Sequence, residues 1–337
     1  MSNPAVTKDK RSTKHNAYTL ILNRIGIYAV IILLVIIGAI VAPGTFLTVD
    51  NFGSIVQAVA LLGMSAVGIS FVVYSSNFND MSAPMTISFS GMIAVATLGL
   101  GFWPAVILGV LAGMSMGIVN GFLIGKFRAH PIIWTLAFNF VMSGLVRWAW
   151  SGRQIYPTDT AANNPRAAEL FISISRSDIL GVPIMVVVMI LMFIVGQFIL
   201  TRTKFGNELK IVGSNYQAAK LSGINVTRST ITVYLIAAFC AAICGIFLSS
   251  MAQTGAFFLG DGYDFRGVTA VLLGGMTLAG GKGNLIGVFG GVISLGMLTN
   301  IMNLIGVPTF NQWFVQGLVF LFIVWLNSFS DRKLGKS

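Results

Sequence analysis

The chain has 337 residues, of which 55% are hydrophobic and only 9% carry a charge. Soluble domains carry charge on about a quarter of their residues, so a soluble class is excluded and an all-α, polytopic integral membrane protein is predicted. The net charge of +11 would suit a nucleic-acid partner, but the basic residues are spaced between apolar runs, which indicates membrane orientation and no nucleic acid.

Ten apolar stretches are candidates for crossing about 30 Å of hydrocarbon. Threading them alternately, with the basic N-terminal end inside, leaves 16 of the 21 Lys and Arg residues inside, 4 outside and 1 near a span end. This bias follows the positive-inside rule and predicts that both termini are cytoplasmic. The stretches are 25–42, 52–74, 84–101, 104–125, 131–150, 181–200, 230–250, 266–280, 284–302 and 309–327.

The predicted organisation is one transmembrane domain at 25–327, with a basic cytoplasmic tail at 1–24 and a short cytoplasmic tail at 328–337. The longest outside segment, 151–180, is polar and contains Asn and Pro residues, which predicts a periplasmic loop available to a soluble partner. A short helix is expected in it around Arg166–Ile172.

A polar stretch at 74–84 interrupts the apolar sequence between the second and third spans. One interpretation is a cytoplasmic turn in which Asp80 caps the following helix, with Pro84 tolerated in its first turn. The other is an unwound segment that lines a permeation path, because non-helical backbone inside a membrane needs protein or water partners. Its candidate path residues are Asn77, Asn79, Asp80 and Ser82.

Five glycines follow one another at four-residue steps through the fourth span, and a shorter series marks the ninth. Such a stripe lets a neighbouring backbone approach closely, so tight internal packing is predicted, with a sliding surface as the alternative. The glycines are Gly109, Gly113, Gly117, Gly121 and Gly125 in the first series and Gly283, Gly287 and Gly291 in the second.

Further polar and aromatic side chains within the spans are candidates for the path. Aromatic rings beside amides suit a sugar, but they are equally typical of contacts between helices. Asp264 and Arg266 point about 200° apart on a helix, so they form no simple pair, and Arg266 either reaches the interface or has a function. The other candidates are Asn120, Trp134, Thr135, Asn139, Asn300 and Asn303.

The longest inside segment, 201–229, contains a pattern typical of a short capped helix. Ser214 is the predicted N-cap, Gln217 completes a capping box, and Gly223 suits the left-handed position after the helix. We expect a rigid short helix outside the bilayer to which a cytoplasmic partner binds.

No catalytic constellation is present in the sequence. The stretch at 275–283 approaches a phosphate-binding loop, but Met276 and Gly283 replace residues that such a loop requires. Cys240 and Cys244 lie one turn apart within a span and are predicted to be packing residues, with no metal site. The chain is therefore predicted not to be an enzyme and to hold no cofactor, and any ATPase must be another chain.

These segments together resemble the permease subunits of bacterial ABC importers for ribose, galactose, xylose and related monosaccharides. The resemblance extends from the first span to about residue 326. It is carried by Asp80-Met81-Ser82, Asn120-Gly121, His130-Pro131 with Thr135-Leu136, the 206–224 loop, and Gly274-Gly275 followed by Gly280-Gly281-Lys282-Gly283.

The resemblance implies an inner-membrane subunit that moves a small carbohydrate by alternating access. It implies cytoplasmic ATPase subunits that bind ATP and Mg, a second permease subunit and a periplasmic binding protein. It also makes 214–223 the coupling helix that docks on the ATPase, with Ser214, Asn215, Gln217, Ala218, Ala219 and Gly223 as its contact residues.

The chain departs from the family pattern at 76–84 and at Arg266, which suggests an atypical cargo such as a polyol, a modified sugar or an acidic sugar. A branched-chain amino-acid ABC permease, which shares the fold, is the alternative cargo assignment. An ion-coupled secondary transporter and a non-transporting membrane scaffold are the alternatives from other classes.

Overall fold

The structure, a computed structural model, describes residues 28–179 and 181–333, with side chains as far as 324. The tail predicted at 1–24 and the last four residues of the tail at 328–337 lie outside the described residues.

Helices form nearly all of the described chain. A short antiparallel hairpin, β1 (Asp178–Ile179) with β2 (Val182–Pro183), is the exception. The helices are α1 (Tyr28–Val41), α2 (Val49–Tyr74), α3 (Ala83–Ala96), α4 (Phe102–Phe127), α5 (Pro131–Ala149), α6 (Pro157–Thr160), α7 (Pro165–Ser173), α8 (Ile184–Arg202), α9 (Lys204–Ser214), α10 (Tyr216–Leu221), α11 (Val226–Ala252), α12 (Tyr263–Leu273), α13 (Leu285–Leu304) and α14 (Thr309–Lys333).

Among the described residues, six helices are long and apolar enough to cross a membrane: α2, α4, α5, α8, α11 and α13. The apolar helices α1 and α3 and the described part of α14 are shorter. The chain is thus a helical, polytopic membrane protein. The total of ten crossings and the cytoplasmic position of both termini stay predictions.

The fold has two halves with the same order of elements. In the first half, the 26-residue α2 is followed by a non-helical segment at 75–82 and by the 14-residue α3. In the second, the 27-residue α11 is followed by a non-helical segment at 253–262 and by the 11-residue α12. The two long helices run antiparallel, because Cys244 Sγ donates to the Leu61 carbonyl while Gly68 faces Ala237.

The packing repeats in the same way. The long helix α11 packs on α3 and α4, and its counterpart α2 packs on α12 and α13. The halves therefore relate as inverted repeats, an arrangement in transporters that places two broken helices together near mid-membrane.

This repeat explains why the predicted span at 266–280 is wrong as a continuous helix. The helix α12 ends at Leu273, and Gly274 packs directly on the backbone of Val288 in α13. Gly275 then adopts φ 84°, so the helix cannot continue. At 1.5 Å per residue, α12 reaches roughly 16 Å, which is about half the hydrocarbon thickness.

The glycine stripe of α4 is confirmed as a close-packing surface. A Cβ added at Gly113 would lie 2.7 Å from the Ala242 Cβ, and one at Gly117 would lie 2.6 Å from the Tyr234 carbonyl oxygen, both in α11. The second stripe was predicted one residue too long, because Gly283 precedes α13. Gly287 and Gly291 remain as a stripe that packs on the backbone of α12 and its end.

The segment at 151–180 contains α7, which matches the helix predicted around Arg166–Ile172. The segment is not a loose loop. Phe171 is fully buried, its carbonyl accepts a hydrogen bond of 2.6 Å from Ser250 Oγ, and Ile155 forms a β-bridge with Gly255. These contacts fasten it to the end of α11 and the non-helical segment beyond it.

Candidate functional site

The segment 75–82, which we call the break, starts where α2 ends. The amide of Ser76 donates to the Val73 carbonyl (3.1 Å) and that of Asn77 to the Val72 carbonyl (3.3 Å), the two bonds of a Schellman motif. Ser76 occupies the left-handed position with φ 61°, and Phe78 follows with φ 60°. Each such conformation costs a non-glycine residue about 1–2 kcal/mol, so surrounding contacts must hold the break in place.

A chain of hydrogen bonds joins the break to α4 and α5. The Asp80 carboxylate accepts from the Ser82 hydroxyl (2.6 Å) and from the Ser82 amide (2.9 Å). The Asn120 side-chain amide of α4 donates to Ser82 Oγ (2.7 Å). The Trp134 indole of α5 donates to the Asn120 carbonyl oxygen (2.9 Å). These four predicted path residues therefore form one network, which we call the polar network.

A second bond from α5 holds the adjacent backbone. The Met81 amide donates to Thr135 Oγ1 at 3.0 Å, and Thr135 is fully buried. Asp80 and Ser82 are buried as well, with exposed fractions of 4% and 0%. Predicted path residues from three separate parts of the chain thus meet at one place.

The polar network lies one to two helical turns from the facing ends of α4 and α5. Asn120 lies seven residues before the end of α4 at Phe127, roughly 10 Å along the helix axis. Thr135 lies four residues after the start of α5 at Pro131, roughly 6 Å from that end. Asp80 and Ser82 are therefore enclosed by both helices at this distance from the helix ends, and both interpretations of the break stay predictions.

The start of α12 meets the break from the other half of the protein. Asn79 Nδ2 donates to the Asp264 carbonyl at 3.4 Å, and a Cβ added at Gly260 would overlap the carbonyl of Pro84. The N-termini of α3 and α12 therefore face the same point. Asp80 and the half-buried Asp264 each lie at one of these ends, where a carboxylate balances the positive end of a helix dipole.

Arg266 lies about 3 Å further along the axis of α12 than Asp264. It is half-buried, and its guanidinium carbon lies 5.3 Å from the centre of the Tyr263 ring. This is a cation–π contact between the Arg266 guanidinium and the Tyr263 ring.

Several buried polar atoms of this region have no hydrogen-bond partner among the described residues. They include the side-chain oxygens of Asn79 and Asn139 and the hydroxyl of Tyr234. Asn139 lies one turn beyond Thr135 on α5. Asn77, another predicted path residue, donates a hydrogen bond from its side-chain amide to Ser75 Oγ at 2.7 Å. These unpartnered atoms are not part of the polar network.

Tyr234 is the residue of this region that was not predicted. It is fully buried in α11, within electrostatic reach of Asp80. The available signal was a phenol in an otherwise apolar span, where a hydroxyl is costly unless it finds a partner.

The segment at 201–229 holds two helices, α9 and α10. The prediction that Ser214 caps the second was wrong by one residue. Asn215 is extended (φ −162°, ψ 106°), and its side chain accepts from the Ala218 amide at 3.0 Å. Ser214 is instead the last residue of α9, where its hydroxyl donates to the Lys210 carbonyl (2.8 Å).

The end of α10 is as predicted. Gly223 has φ 76°, the Ile224 amide donates to the Ala219 carbonyl (3.1 Å), and the Gly223 amide donates to the Lys220 carbonyl (3.1 Å). This complete Schellman motif fixes the helix end. Ala219 lies on the inner face of α10 and is fully buried. Gln217 and Ala218 are exposed, and Leu221 is 89% exposed.

The two cysteines are buried and unpaired. Cys244 donates to a backbone carbonyl of α2, which agrees with a packing role. In the described part of the chain, no three His, Cys, Asp or Glu side chains come together in a group that could hold a metal ion.

Comparison with known proteins identifies the family. A family profile described as "Branched-chain amino acid transport system / permease component" matches residues 51–324. The ribose import permease protein of Bacillus subtilis (strain 168) is 33% identical over 315 residues, covering 93% of this chain and 94% of that protein. The ribose import permease protein of Escherichia coli (strain K12) is 30% identical over 302 residues, with 89% and 92% covered.

The xylose transport system permease protein of Escherichia coli (strain K12) is 28% identical over 345 residues, covering 86% of this chain and 88% of that protein. No solved structure matches the chain. The resemblance predicted from the sequence is confirmed by these relatives. Because the profile spans most of the chain and the relatives align along nearly all of it, the chain belongs to the family of branched-chain amino acid transport system permease components, a family of multi-pass transport subunits.

Proposed function

We propose that the chain is the membrane-spanning permease subunit of a bacterial ABC importer for a small carbohydrate. The observation that carries this proposal is the set of relatives, whose names are ribose import and xylose transport permeases and which align along at least 86% of the chain. The cargo is a monosaccharide, a polyol or a modified sugar. In this proposal the subunit lies in the inner membrane as a multi-pass protein with both termini cytoplasmic.

The energy for transport comes from separate cytoplasmic ATPase subunits that bind ATP and Mg. We assign α10 as the coupling helix, because it is held at both ends and presents exposed side chains. The proposed docking surface consists of Gln217, Ala218 and Leu221, while Ser214, Asn215 and Gly223 shape the helix ends. Ala219 supports the helix from below, since it is buried.

The cargo path runs past the break. We assign the oxygens of Asn79 and Asn139 and the Tyr234 hydroxyl as partners for cargo hydroxyl groups, because these buried atoms lack partners within the described residues. Asp264 and Arg266 border the path at the start of α12. The polar network forms one rigid wall of the path, and Thr135 lies beside it. Asn77 lies at the cytoplasmic edge of this wall.

The remaining partners follow from the same assignment. A periplasmic binding protein delivers the cargo to the 151–180 segment, whose fastening to α11 suits a docking surface. A second permease subunit completes the path. The domain limits in this proposal are 25–327 for the transmembrane body and 1–24 and 328–337 for the tails.

The assignment is tested by reconstitution. The permease is assembled in liposomes with the ATPase and the binding protein encoded beside it, and uptake of ribose, xylose, a polyol and leucine is measured with and without ATP. We expect ATP-dependent uptake of a carbohydrate. Uptake of leucine alone would assign the branched-chain amino-acid cargo, and uptake driven by an ion gradient without ATP would contradict the ABC mechanism.

The coupling assignment is tested at Leu221, whose side chain supports nothing inside the chain. Leu221→Asp should leave the permease inserted in the membrane and abolish ATP-driven uptake, because a charge replaces an apolar docking contact. Lys204→Asp, an exposed change at the start of α9, is the control. Full uptake by the Leu221 variant would exclude α10 as the docking helix.

A further inference from the structure

The loop Gly280-Gly281, part of the stretch that approaches a phosphate-binding loop in sequence, packs on the ends of α2 and α9. The Gly281 amide donates to the carbonyl of Tyr74 at 2.8 Å. Tyr74 is the last residue of α2, so this bond holds the backbone directly before the break.

The same carbonyl is covered from the other side by α9. A Cβ added at Gly213, the penultimate residue of α9, would overlap the Tyr74 carbonyl oxygen and lie 2.7 Å from the Gly281 nitrogen. A Cβ added at Gly280 would lie 2.8 Å from the Gly213 oxygen and 2.8 Å from the Ser76 Cβ. Gly280 and Gly281 also have φ 78° and 68°, where other residues are strained.

Three backbone segments therefore touch with no side chain between them. We call Gly213, Gly280 and Gly281 the glycine clasp. The coupling helix α10 begins three residues after Gly213, and the break begins one residue after Tyr74. At the clasp, the backbone three residues before α10 therefore touches the backbone directly before the break.

We propose that the glycine clasp transmits displacement of α10 to the break, so that Gly213, Gly280 and Gly281 are positioning residues for transport. This proposal rests on the proposed function. Its physical basis is stiffness, because touching backbones have no rotamer that could absorb a displacement, unlike long side chains. The strained backbone of Ser76, in contact with Gly280, is the first part of the break that a shift of the clasp would move.

A second link to α10 exists and serves as a rival route. The guanidinium carbon of Arg128, at the end of α4, lies 5.3 Å from the centre of the Tyr216 ring in α10. Both side chains are exposed and can change rotamer, so this contact transmits a displacement of α10 less directly than the clasp does.

The test uses the reconstituted importer with its ATPase and binding protein, and the probe is radiolabelled ribose or xylose. Gly213 is helical, so Gly213→Ala suits the local backbone, and its cost is the overlap of the new Cβ with the backbones of Tyr74 and Gly281. Gly144→Ala in α5 is the matched control, because nothing lies within 4 Å of a Cβ added there. We expect Gly213→Ala to hydrolyse ATP within about twofold of the native rate and to lose at least tenfold in uptake, and Gly144→Ala to change neither.

A second readout separates coupling from a merely structural role. Phe78 in the break is 43% exposed, and the native cysteines are buried, so Phe78→Cys provides a selective site for a small thiol reagent. We expect its labelling rate to change on addition of ATP. In the Gly213→Ala background that change should disappear, while labelling without ATP stays the same.

The outcomes decide between the alternatives. Gly213→Ala with native uptake and native ATP-dependent labelling overturns the proposal, and so does a loss of coupling in Arg128→Gln alone. If Gly213→Ala does not assemble, Ser76→Gly decides, because it removes the Ser76 Cβ that contacts Gly280 and relaxes φ without any new clash. An unchanged ratio of uptake to hydrolysis in Ser76→Gly then overturns the proposal. Failure of the unsubstituted importer to take up carbohydrate with ATP refutes the proposed function instead.

Discussion

Replacing Asn120 by Leu tests whether the polar network is a rigid wall or a set of free ligands. Asn120 is 1% exposed, and its side chain makes two bonds, one donated to Ser82 Oγ and one accepted from the Trp134 indole. Leucine has a similar size and makes neither bond. The change therefore removes polar contacts while it leaves little cavity.

The expected cost follows from the partners that remain. The Trp134 indole N–H loses its acceptor, which costs about 1–3 kcal/mol when the donor stays buried. Ser82 keeps its bond to Asp80 and loses only the bond from Asn120, and such bonds between membrane helices average about 0.6 kcal/mol. Together we expect a loss of about 2 kcal/mol in the free energy of unfolding, roughly a thirtyfold change in the ratio of folded to unfolded protein.

The assay is reversible unfolding in mixed micelles with increasing SDS, followed by tryptophan fluorescence. Asn207→Leu, the same change at an exposed position of α9, is the control and should stay within about 0.5 kcal/mol of the native chain. A double-mutant cycle of Asn120→Leu with Ser82→Ala should give a coupling free energy of about 0.6 kcal/mol and at most about 1.7 kcal/mol. If Asn120→Leu is as stable as the Asn207 control, the network contributes no rigidity and the reasoning is wrong.

Three further outcomes are expected. Gly117→Val should lower the free energy of unfolding by about 1–3 kcal/mol, because its side chain would overlap the backbone of α11. The control Gly144→Val should cost less than about 1 kcal/mol in the same SDS titration. Gly223→Val should weaken binding of the purified ATPase severalfold without changing membrane insertion, because the left-handed φ of 76° costs a β-branched residue about 1–2 kcal/mol. Native affinity for the ATPase would show that the end of α10 need not be fixed. Arg266→Ala should change the preference among ribose, xylose, a polyol and an acidic sugar in uptake assays, because the cation borders the path, and an unchanged preference would remove Arg266 from cargo selection.

Local sequence patterns were sufficient to predict most of the helices. Apolar runs, prolines and capping residues act within a few residues of one another, so they locate α2, α4 and α11 to within a few positions. The glycine stripe of α4 likewise predicted a close helix contact, although it could not name α11 as the partner. The shift of the cap from Ser214 to Asn215 is an error of the same local kind, since both residues have side chains that can cap a helix.

The path residues were predicted by type, but their roles were not. Asn120 and Trp134 looked like equivalent candidates in the sequence, yet Asn120 accepts a hydrogen bond from the Trp134 indole and donates one to Ser82, which lies 38 residues before it. Tyr234 was missed because an isolated phenol in an apolar span has no local pattern. Which polar atom stays without a partner depends on neighbours that come from distant parts of the chain.

The sequence by itself determined the membrane class, the positions of most of the helices, the short capped helix α10 and the family, because each of these depends on residues close together or on composition. Only the tertiary structure decided that α3 and α12 are short helices that meet at their N-termini, that the break is enclosed between α4 and α5, and that Gly213 touches Tyr74. The physical reason is that burial and hydrogen-bond satisfaction are properties of the packed inverted repeats, and no single segment contains them.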